Sequence, residues 1–188
     1  MGRVAWSWTI LLAFVALAVA SGSCREIDAT VLDAAQRART PSLDFLASLV
    51  GLVGAAEVAA GIALGLAVAR VRGYPREALI PLLIAATVIV ESILKFIVPQ
   101  VPPPDDRVRT IALLPVISVP FAHSFPSGHV ARAAFLLRIA NGIPTPVVIA
   151  AVLLMAATRI YLGEHWLSDT VGGAILGLGV ANVARRLV

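Results

Sequence analysis

Long apolar stretches dominate the chain, and short polar or charged segments separate them. Six stretches approach the roughly 20 apolar residues that a membrane-spanning helix needs. They cover about residues 4–20, 45–69, 78–98, 129–140, 146–162 and 166–183. The fourth is short and contains Arg132 and Arg138, but we count it as a span because the fifth must begin on the opposite side. The pattern predicts an all-α polytopic membrane protein with six transmembrane helices.

The segment between the first two spans has the pattern of an amphipathic helix, over residues 25–38. Its expected apolar face carries Ile27, Val31, Leu32 and Ala35, and Asp28, Asp33 and Arg37 occupy much of the remaining surface. Such a helix typically lies in the membrane interface, here the outer one. We therefore expect residues 1–44 to form an anchor helix and an interfacial helix. Residues 45–188 should form a five-span core that holds the candidate chemistry, with one domain overall.

The first stretch has a second interpretation. One arginine, an apolar run and Ala18-Val19-Ala20 also describe a secretory signal peptide with an A-x-A cleavage site. The run is long for the apolar part of a signal peptide, which favours a retained anchor. Either interpretation leaves the loop after Ala20 outside the cytoplasm.

The charged loops predict how the chain is oriented in the membrane. Short loops rich in arginine stay in the cytoplasm. One side carries Arg3, Arg70, Arg72, Arg76, Arg138, Arg185 and Arg186, and the other carries Glu26, Asp28, Asp33, Asp105 and Asp106, with arginines among them. We expect a multi-pass protein of the cell membrane, with both termini cytoplasmic and the loops 21–44 and 99–127 outside.

The composition excludes several classes of protein. Of 188 residues, 59% are apolar and 14% are charged, against about 45–50% and about 25% in soluble domains, so a water-soluble globule is excluded. The net charge is +4, but the arginines form no basic run, which argues against a nucleic-acid partner. Cys24 is the single cysteine, so neither an intrachain disulfide nor a cysteine metal cluster can form.

Charged and imidazole side chains lie near one end of four predicted spans. Lys95 is near the outer end of the third span, and His129 begins the fourth. Arg159 is near the outer end of the fifth, and His165 and Asp169 open the sixth. Because intramembrane charge costs about 2.5–3.5 kcal/mol at a helix centre, it indicates function by default. The sequence therefore predicts an active site between the helices at the outer face.

The side chains at that face suit a phosphate. Lys95 and Arg159 offer cationic donors, and the guanidinium fork of arginine matches phosphate oxygens. Ser127 and Gly128 precede a helix start, where free N–H groups and a close backbone approach form an anion site. A phosphate is the simplest ligand that satisfies all of these donors.

The histidines add a nucleophile and an acid. His165 and Asp169 are four residues apart and would share a helix face. A carboxylate bound to one imidazole nitrogen leaves the other free to attack, and His129 could protonate the leaving oxygen. These groups indicate phosphoryl transfer. Because no carboxylate cluster has metal-ligand spacing, a metal is not required, and we expect no cofactor.

Two motifs resemble signatures of the type-2 phosphatidic acid phosphatase superfamily, which includes lipid phosphatases and vanadium haloperoxidases. The four residues 126–129 match P-S-G-H in full. Thr158-Arg159, five residues, His165, three residues and Asp169 match S-R-x5-H-x3-D, with threonine where the family usually has serine. The resemblance covers roughly residue 45 to the C-terminus.

The resemblance implies a role for each matched residue. His165, held by Asp169, would attack phosphorus to give a phosphohistidine, and His129 would protonate the leaving group. The phosphate oxygens would be bound by Lys95, Ser127, Gly128 and Arg159. The family needs no metal for this hydrolysis.

The first family signature, K-x6-R-P, is incomplete in this chain. Lys95 is followed by six residues and then by Pro102, where the family has arginine. One phosphate contact is therefore missing or comes from elsewhere. Arg107, Arg109 and Arg132 are the candidates to replace it.

We expect a metal-independent phosphatase that hydrolyses a lipid phosphate or a polyprenyl pyrophosphate. No extramembrane domain of any size is predicted, so the substrate should be a lipid diffusing in the outer leaflet. Polyprenyl pyrophosphate, phosphatidate and phosphatidylglycerol phosphate all qualify, and no obligate protein partner is implied. Two alternatives remain open, namely a phosphotransferase with an acceptor other than water and a non-catalytic lipid-phosphate transporter or binding protein.

Overall fold

The structure is a computed structural model that describes residues 2–115 and 121–187. In these ranges the chain is helical and has no strand, which confirms the predicted all-α class. Eight α-helices cover Gly2–Ala20 (α1), Arg25–Ala35 (α2), Pro41–Gly51 (α3), Ala56–Val71 (α4), Ile84–Ile97 (α5), Gly128–Ile139 (α6), Thr145–Tyr161 (α7) and Leu167–Ala184 (α8). Short 3-10 turns lie at Leu52–Gly54, Glu77–Leu79, Pro81–Leu83 and Asp105–Arg107.

Not every predicted span is a single straight helix. In the described ranges, Glu77–Ile97 and Leu167–Ala184 are each long and apolar enough to cross a membrane. Two bent pairs add further candidates, Trp6–Ala20 with Arg25–Ala35 at 89° and Pro41–Gly54 with Ala56–Val71 at 49°. Thr145–Tyr161 is a shorter apolar helix. Two to four candidate spans are therefore present in the described residues, and the six-span count stays a prediction.

The second predicted span is broken at its middle. Ala55 takes an extended conformation, with φ −61° and ψ 142°, between Leu52–Gly54 and α4. At the break the backbone of α6 comes so close that a Cβ on Gly54 would lie 2.7 Å from the carbonyl oxygen of His129. Hydropathy does not register such a contact, so the sequence pattern joined the two helices into one span.

The centre of the fold is the packing of α6 against α8. Nine of the 12 residues of α6 are buried. A Cβ on Gly173 would lie 2.4 Å from the carbonyl oxygen of Ser127, and one on Gly177 would lie 2.1 Å from that of Ala131. Small residues four apart let two helix backbones touch in this way. The pair therefore fixes the start of α6 against the start of α8.

Large apolar side chains cover the outside of this central pair. Phe14 of α1, Phe96 of α5 and Leu153 of α7 are 69%, 77% and 63% exposed. In a water-soluble protein, surfaces of this kind are kept small. The exposed apolar surface and the long apolar helices are those of a membrane protein.

The helix at residues 25–35 is present, but the structure corrects its expected buried face. Asp28, Leu32 and Gln36 point into the protein, whereas Ile27 is 55% exposed. The prediction assigned Asp28 to the polar surface because periodicity ranks residues by hydropathy. The side chains of Asp28 and Gln36 instead find hydrogen-bond partners inside the protein, which offsets the loss of water.

We expect Gly177→Ala to destabilise the fold, because the added methyl group meets the backbone of α6, which cannot move aside. The cost should be about 1–3 kcal/mol, as for overpacked cores. Gly65→Ala is the matched control, since a Cβ on Gly65 of α4 has no neighbour within 4 Å. Thermal unfolding in detergent should show a lower midpoint for Gly177→Ala alone. Equal midpoints for both variants would contradict the close packing.

Candidate active site

Three helices, α4, α5 and α6, and the connector between α7 and α8 line a cavity of about 290 Å³. Five of the predicted site residues line it, namely Lys95, Gly128, His129, Arg132 and His165. The two histidines, one in the first turn of α6 and one in the connector before α8, therefore face the same space. Ser127, Arg159 and Asp169 lie behind this lining and are almost completely buried.

His165 is held by the start of α8 rather than by a shared helix face. The helix begins at Leu167, so His165 precedes it. The Asp169 carboxylate reaches back, and its Oδ2 lies 3.0 Å from the backbone N–H of Trp166 and 3.2 Å from Nδ1 of His165. The same carboxylate therefore caps the helix and orients the imidazole. The predicted contact between His165 and Asp169 is therefore present, and it uses the Nδ1 atom of the imidazole rather than Nε2.

The P-S-G-H segment is tied directly to the same helix. The backbone N–H of Ser127 donates to the carbonyl oxygen of Asp169 at 2.9 Å. The Oγ atom of Ser127 is buried and has no hydrogen-bond partner among the described residues. Gly128 opens α6, and the Glu91 carboxylate lies where a Cβ would stand. The segment therefore places this buried hydroxyl beside a helix N-terminus, an arrangement that favours negative charge.

One carboxylate holds two cations of the cavity. Glu91 Oε1 lies 3.1 Å from Nζ of Lys95, and Oε2 lies 2.7 Å from a terminal nitrogen of Arg132. The Nε of Arg132 also donates to the carbonyl oxygen of Gly54 at 2.8 Å. All three charged side chains are at most 12% exposed. This arrangement fixes the positions of both cations before any ligand binds.

Arg159 is positioned by a second carboxylate. Its terminal nitrogen lies 2.9 Å from Oε1 of Glu164, which also accepts a hydrogen bond from Thr110. The Arg159–Glu164 contact is ionic and lacks hydrogen-bond alignment, because Nε and this same nitrogen of Arg159 have no hydrogen-bond partner among the described residues. Arg159 therefore keeps buried donor atoms that no described residue satisfies.

The loop before α6 is fixed to the end of α5. The backbone N–H of Ser124 donates to the carbonyl oxygen of Gln100 at 2.8 Å, and Nδ1 of His123 lies 2.9 Å from that of Lys95. The Lys95 ammonium also lies 4.9 Å from the ring centre of Phe121. These contacts place the lysine at the edge of the cavity.

The three candidates for the missing phosphate contact occupy different places. Arg109 makes two hydrogen bonds to Asp44, at 2.9 and 2.6 Å, and these raise the pKa of its guanidinium above the ordinary value. Arg107 binds Asp33 and Gln36. Neither lines the cavity, whereas Arg132 does. Of the three, Arg132 is therefore the one whose charge lies beside the histidines.

Two acidic residues of the site were not on the list drawn from the sequence. Glu91 lies four residues before Lys95, so the sequence offers an ion pair within one helix, and the structure confirms that pair. The bridge from Glu91 to Arg132 joins helices that are distant in sequence. Glu164 directly precedes His165 and pairs with Arg159. In the described ranges no three His, Cys, Asp or Glu side chains come together as a metal site.

The family model described as "PAP2 superfamily" matches residues 77–188. A 70-residue segment is 41% identical to the decaprenylphosphoryl-5-phosphoribose phosphatase of Mycobacterium tuberculosis, in two strains. That alignment covers 36% of this chain and only 38% of the relative.

Two solved structures share the fold. A transmembrane PAP2-type phosphatidylglycerolphosphate phosphatase from Bacillus subtilis aligns with a TM-score of 0.78 and 23% sequence identity. The alignment covers 97% of this chain and 94% of the Bacillus chain. Aquifex aeolicus LpxE has a TM-score of 0.64 and 21% identity, over 85% of this chain and 95% of its own. The chain therefore has the same fold as these two proteins.

We expect Arg132→Met to weaken binding of inorganic phosphate by about tenfold, because a charge-assisted hydrogen bond is lost. Arg132→Lys should retain part of the affinity, since the charge remains without the fork. Arg138→Met, on the same helix but outside the cavity, is the control. Calorimetry in detergent measures the affinities. A tenfold loss in Arg107→Met or Arg109→Met, with none in Arg132→Met, would move the contact to the outer loop.

Proposed function

We propose that this chain, which belongs to the PAP2 superfamily, is a membrane-embedded phosphatase acting on a lipid phosphate. One observation carries the proposal. His129 and His165, with its Asp169 partner, lie at one cavity together with the cations Lys95 and Arg132. A nucleophile, an acid and anion-binding groups in one space are the parts that phosphoryl transfer needs.

In the proposed reaction, Nε2 of His165 attacks phosphorus while the bond to the lipid oxygen breaks. Asp169 holds Nδ1–H and stabilises the positive charge that develops on the ring. His129 gives a proton to the leaving lipid oxygen. Water then attacks the phosphohistidine while His129 takes its proton, the P–N bond breaks, and inorganic phosphate leaves with His165 and His129 both restored.

Positive charge at the cavity favours the pentacoordinate transition state. Lys95, Arg132 and Arg159 carry three positive charges, which Glu91 and Glu164 offset in part. The hydroxyl of Ser127 and the backbone at Gly128 add neutral donors. Donors that are already positioned need no reorganisation during the reaction, which is the main source of electrostatic catalysis. We propose that these groups bind the phosphate oxygens without a metal or other cofactor.

We place the active site on the extracytoplasmic side, at the cell membrane. The cavity lies at the starts of α6 and α8, whereas Arg70 binds the carbonyl oxygen of Ile139 at the other end of α6. Arg138 and Arg185 lie at that same far end. Arginine-rich ends stay in the cytoplasm, which supports cytoplasmic termini and a substrate from the outer leaflet.

A lipid-linked phosphomonoester is the first substrate class to test. The Mycobacterium tuberculosis relative is named for a decaprenyl-linked sugar phosphate. The two carboxylates that already neutralise part of the cavity charge also suit a monoester better than the more highly charged diphosphate. Membrane lipids supply the surroundings of this substrate, and we propose no protein or nucleic-acid partner.

We expect His165→Ala to lower phosphate release from a lipid phosphate by at least about 1,000-fold, because the nucleophile is removed. His129→Ala should lower it by about 100-fold or more, as expected for loss of a general acid. His123→Gln is the control, since it keeps a donor for the carbonyl oxygen of Lys95. Phosphate is measured with purified protein in detergent. Equal release by wild type and His165→Ala would overturn the enzymatic proposal.

We expect a panel of lipid phosphates to be hydrolysed in the presence of EDTA, with polyprenyl-linked sugar monophosphates preferred over polyprenyl pyrophosphate. Phosphatidate and phosphatidylglycerol phosphate complete the panel, and kcat/KM is the measured quantity. Added alcohols test transfer to an acceptor other than water by mass spectrometry of the products. Activity that EDTA abolishes, or a preference for the diphosphate, would contradict this assignment.

A further inference from the structure

Helix α2 lies across the connector that joins α7 to α8. This connector, residues 162–166, contains His165 and turns through Gly163, whose φ is +69°. A Cβ on Gly163 would lie 2.2 Å from the carbonyl oxygen of Arg107. The turn therefore packs closely against the outer loop. Because the connector forms no regular helix, it does not by itself fix the position of His165.

One end of α2 binds the chain just before this connector. The amide nitrogen of Gln36 donates to the carbonyl oxygens of Tyr161 and Arg107, each at 2.9 Å. Its amide oxygen accepts from Nε of Arg107 at 3.0 Å. Gln36 is 5% exposed, so this side chain ties the end of α7 and the outer loop together inside the protein.

The other end of α2 binds the chain just after the connector. Oδ1 of Asp28 accepts from the backbone N–H of Ser168 at 2.8 Å, and Oδ2 accepts from the Ser168 hydroxyl at 2.7 Å. Gln100 adds a longer contact to Oδ2, at 3.4 Å. Asp28 is only 2% exposed. Its carboxylate therefore satisfies a free N–H group in the first turn of α8, next to Asp169.

The spacing of these two anchors matches the segment that they enclose. Asp28 and Gln36 are eight residues apart, which is about 12 Å along a helix. The atoms that they bind belong to Tyr161 and Ser168, on either side of His165. Two buried polar side chains are costly unless they are hydrogen-bonded. Both are fully engaged here, and both engage the same short segment.

We propose that α2 is a strap that sets the position of His165, with Asp28 and Gln36 as positioning residues. The inference rests on the proposed function, because it concerns the nucleophile of that reaction. Neither side chain lines the cavity, so neither is a catalytic residue. They act by fixing both ends of the connector, since a nucleophile displaced by about 1 Å loses roughly 100-fold in rate. The strap lies outside the segment that matches the family, residues 77–188.

The test compares Asp28→Ala and Gln36→Leu with Glu26→Ala, an exposed acidic residue of the same helix. We expect kcat to fall by about tenfold or more in the first two, and KM to stay within about twofold, because the phosphate-binding cations are untouched. Asp28→Asn should recover most of kcat, since its amide oxygen still accepts from Ser168 N–H. Glu26→Ala should match wild type.

Hydrogen exchange provides a readout that does not require turnover. Amides of residues 163–172 should exchange faster in Asp28→Ala and Gln36→Leu than in wild type or Glu26→Ala. The strap is overturned if exchange is unchanged, if kcat stays within twofold in both variants, or if Asp28→Asn loses as much as Asp28→Ala. If wild type hydrolyses no lipid of the panel, the proposed function fails, while the exchange comparison still decides whether α2 orders the connector.

Discussion

The contact between the backbones of α6 and α8 is the constraint on which the candidate site depends. Gly173 and Gly177 let the backbone of α8 lie directly against that of α6, and the N–H of Ser127 binds the carbonyl oxygen of Asp169 at 2.9 Å. Packing of this kind is a matter of van der Waals contact rather than of the hydrophobic effect, since lipid tails are as apolar as the helices themselves. The distance between the two histidine-bearing segments is thus set by main-chain atoms, which are less adaptable than side chains.

Charge at membrane depth is the second requirement, and paired carboxylates meet it. An unpaired buried cation is strongly destabilising, whereas a paired one with further hydrogen bonds is tolerated. Glu91 forms ion pairs with both Lys95 and Arg132, and Glu164 forms one with Arg159. The cations can therefore stay in place between substrates. A phosphate that enters the cavity would share the hydrogen-bond donors of these cations with the two carboxylates. Because the donors are already in position, their geometry does not depend on tight binding of the phosphate.

The sequence predicted the helical class, and the spacing of His165 and Asp169 predicted their hydrogen bond. These features depend on local patterns or on short motifs that chemistry restricts to a few residue types. The burial of Asp28 and the bridge from Glu91 to Arg132 depend on which helices become neighbours, and this information is not local. For the same reason the three replacement arginines were equivalent in sequence, although one alone lies at the cavity. A hydropathy window averages the hydropathy of neighbouring residues, so it does not reveal the backbone break next to Gly54 in the second predicted span.

The break between α3 and α4 has a consequence for Arg132. A main-chain carbonyl exposed to hydrocarbon is among the least tolerated groups in a bilayer, and the guanidinium of Arg132 binds the one at Gly54. The same guanidinium is proposed to bind the substrate. One side chain therefore replaces water as the hydrogen-bond donor to a main-chain carbonyl and also serves as a counter-ion for the ligand. Any substitution at residue 132 must preserve both membrane insertion and ligand affinity.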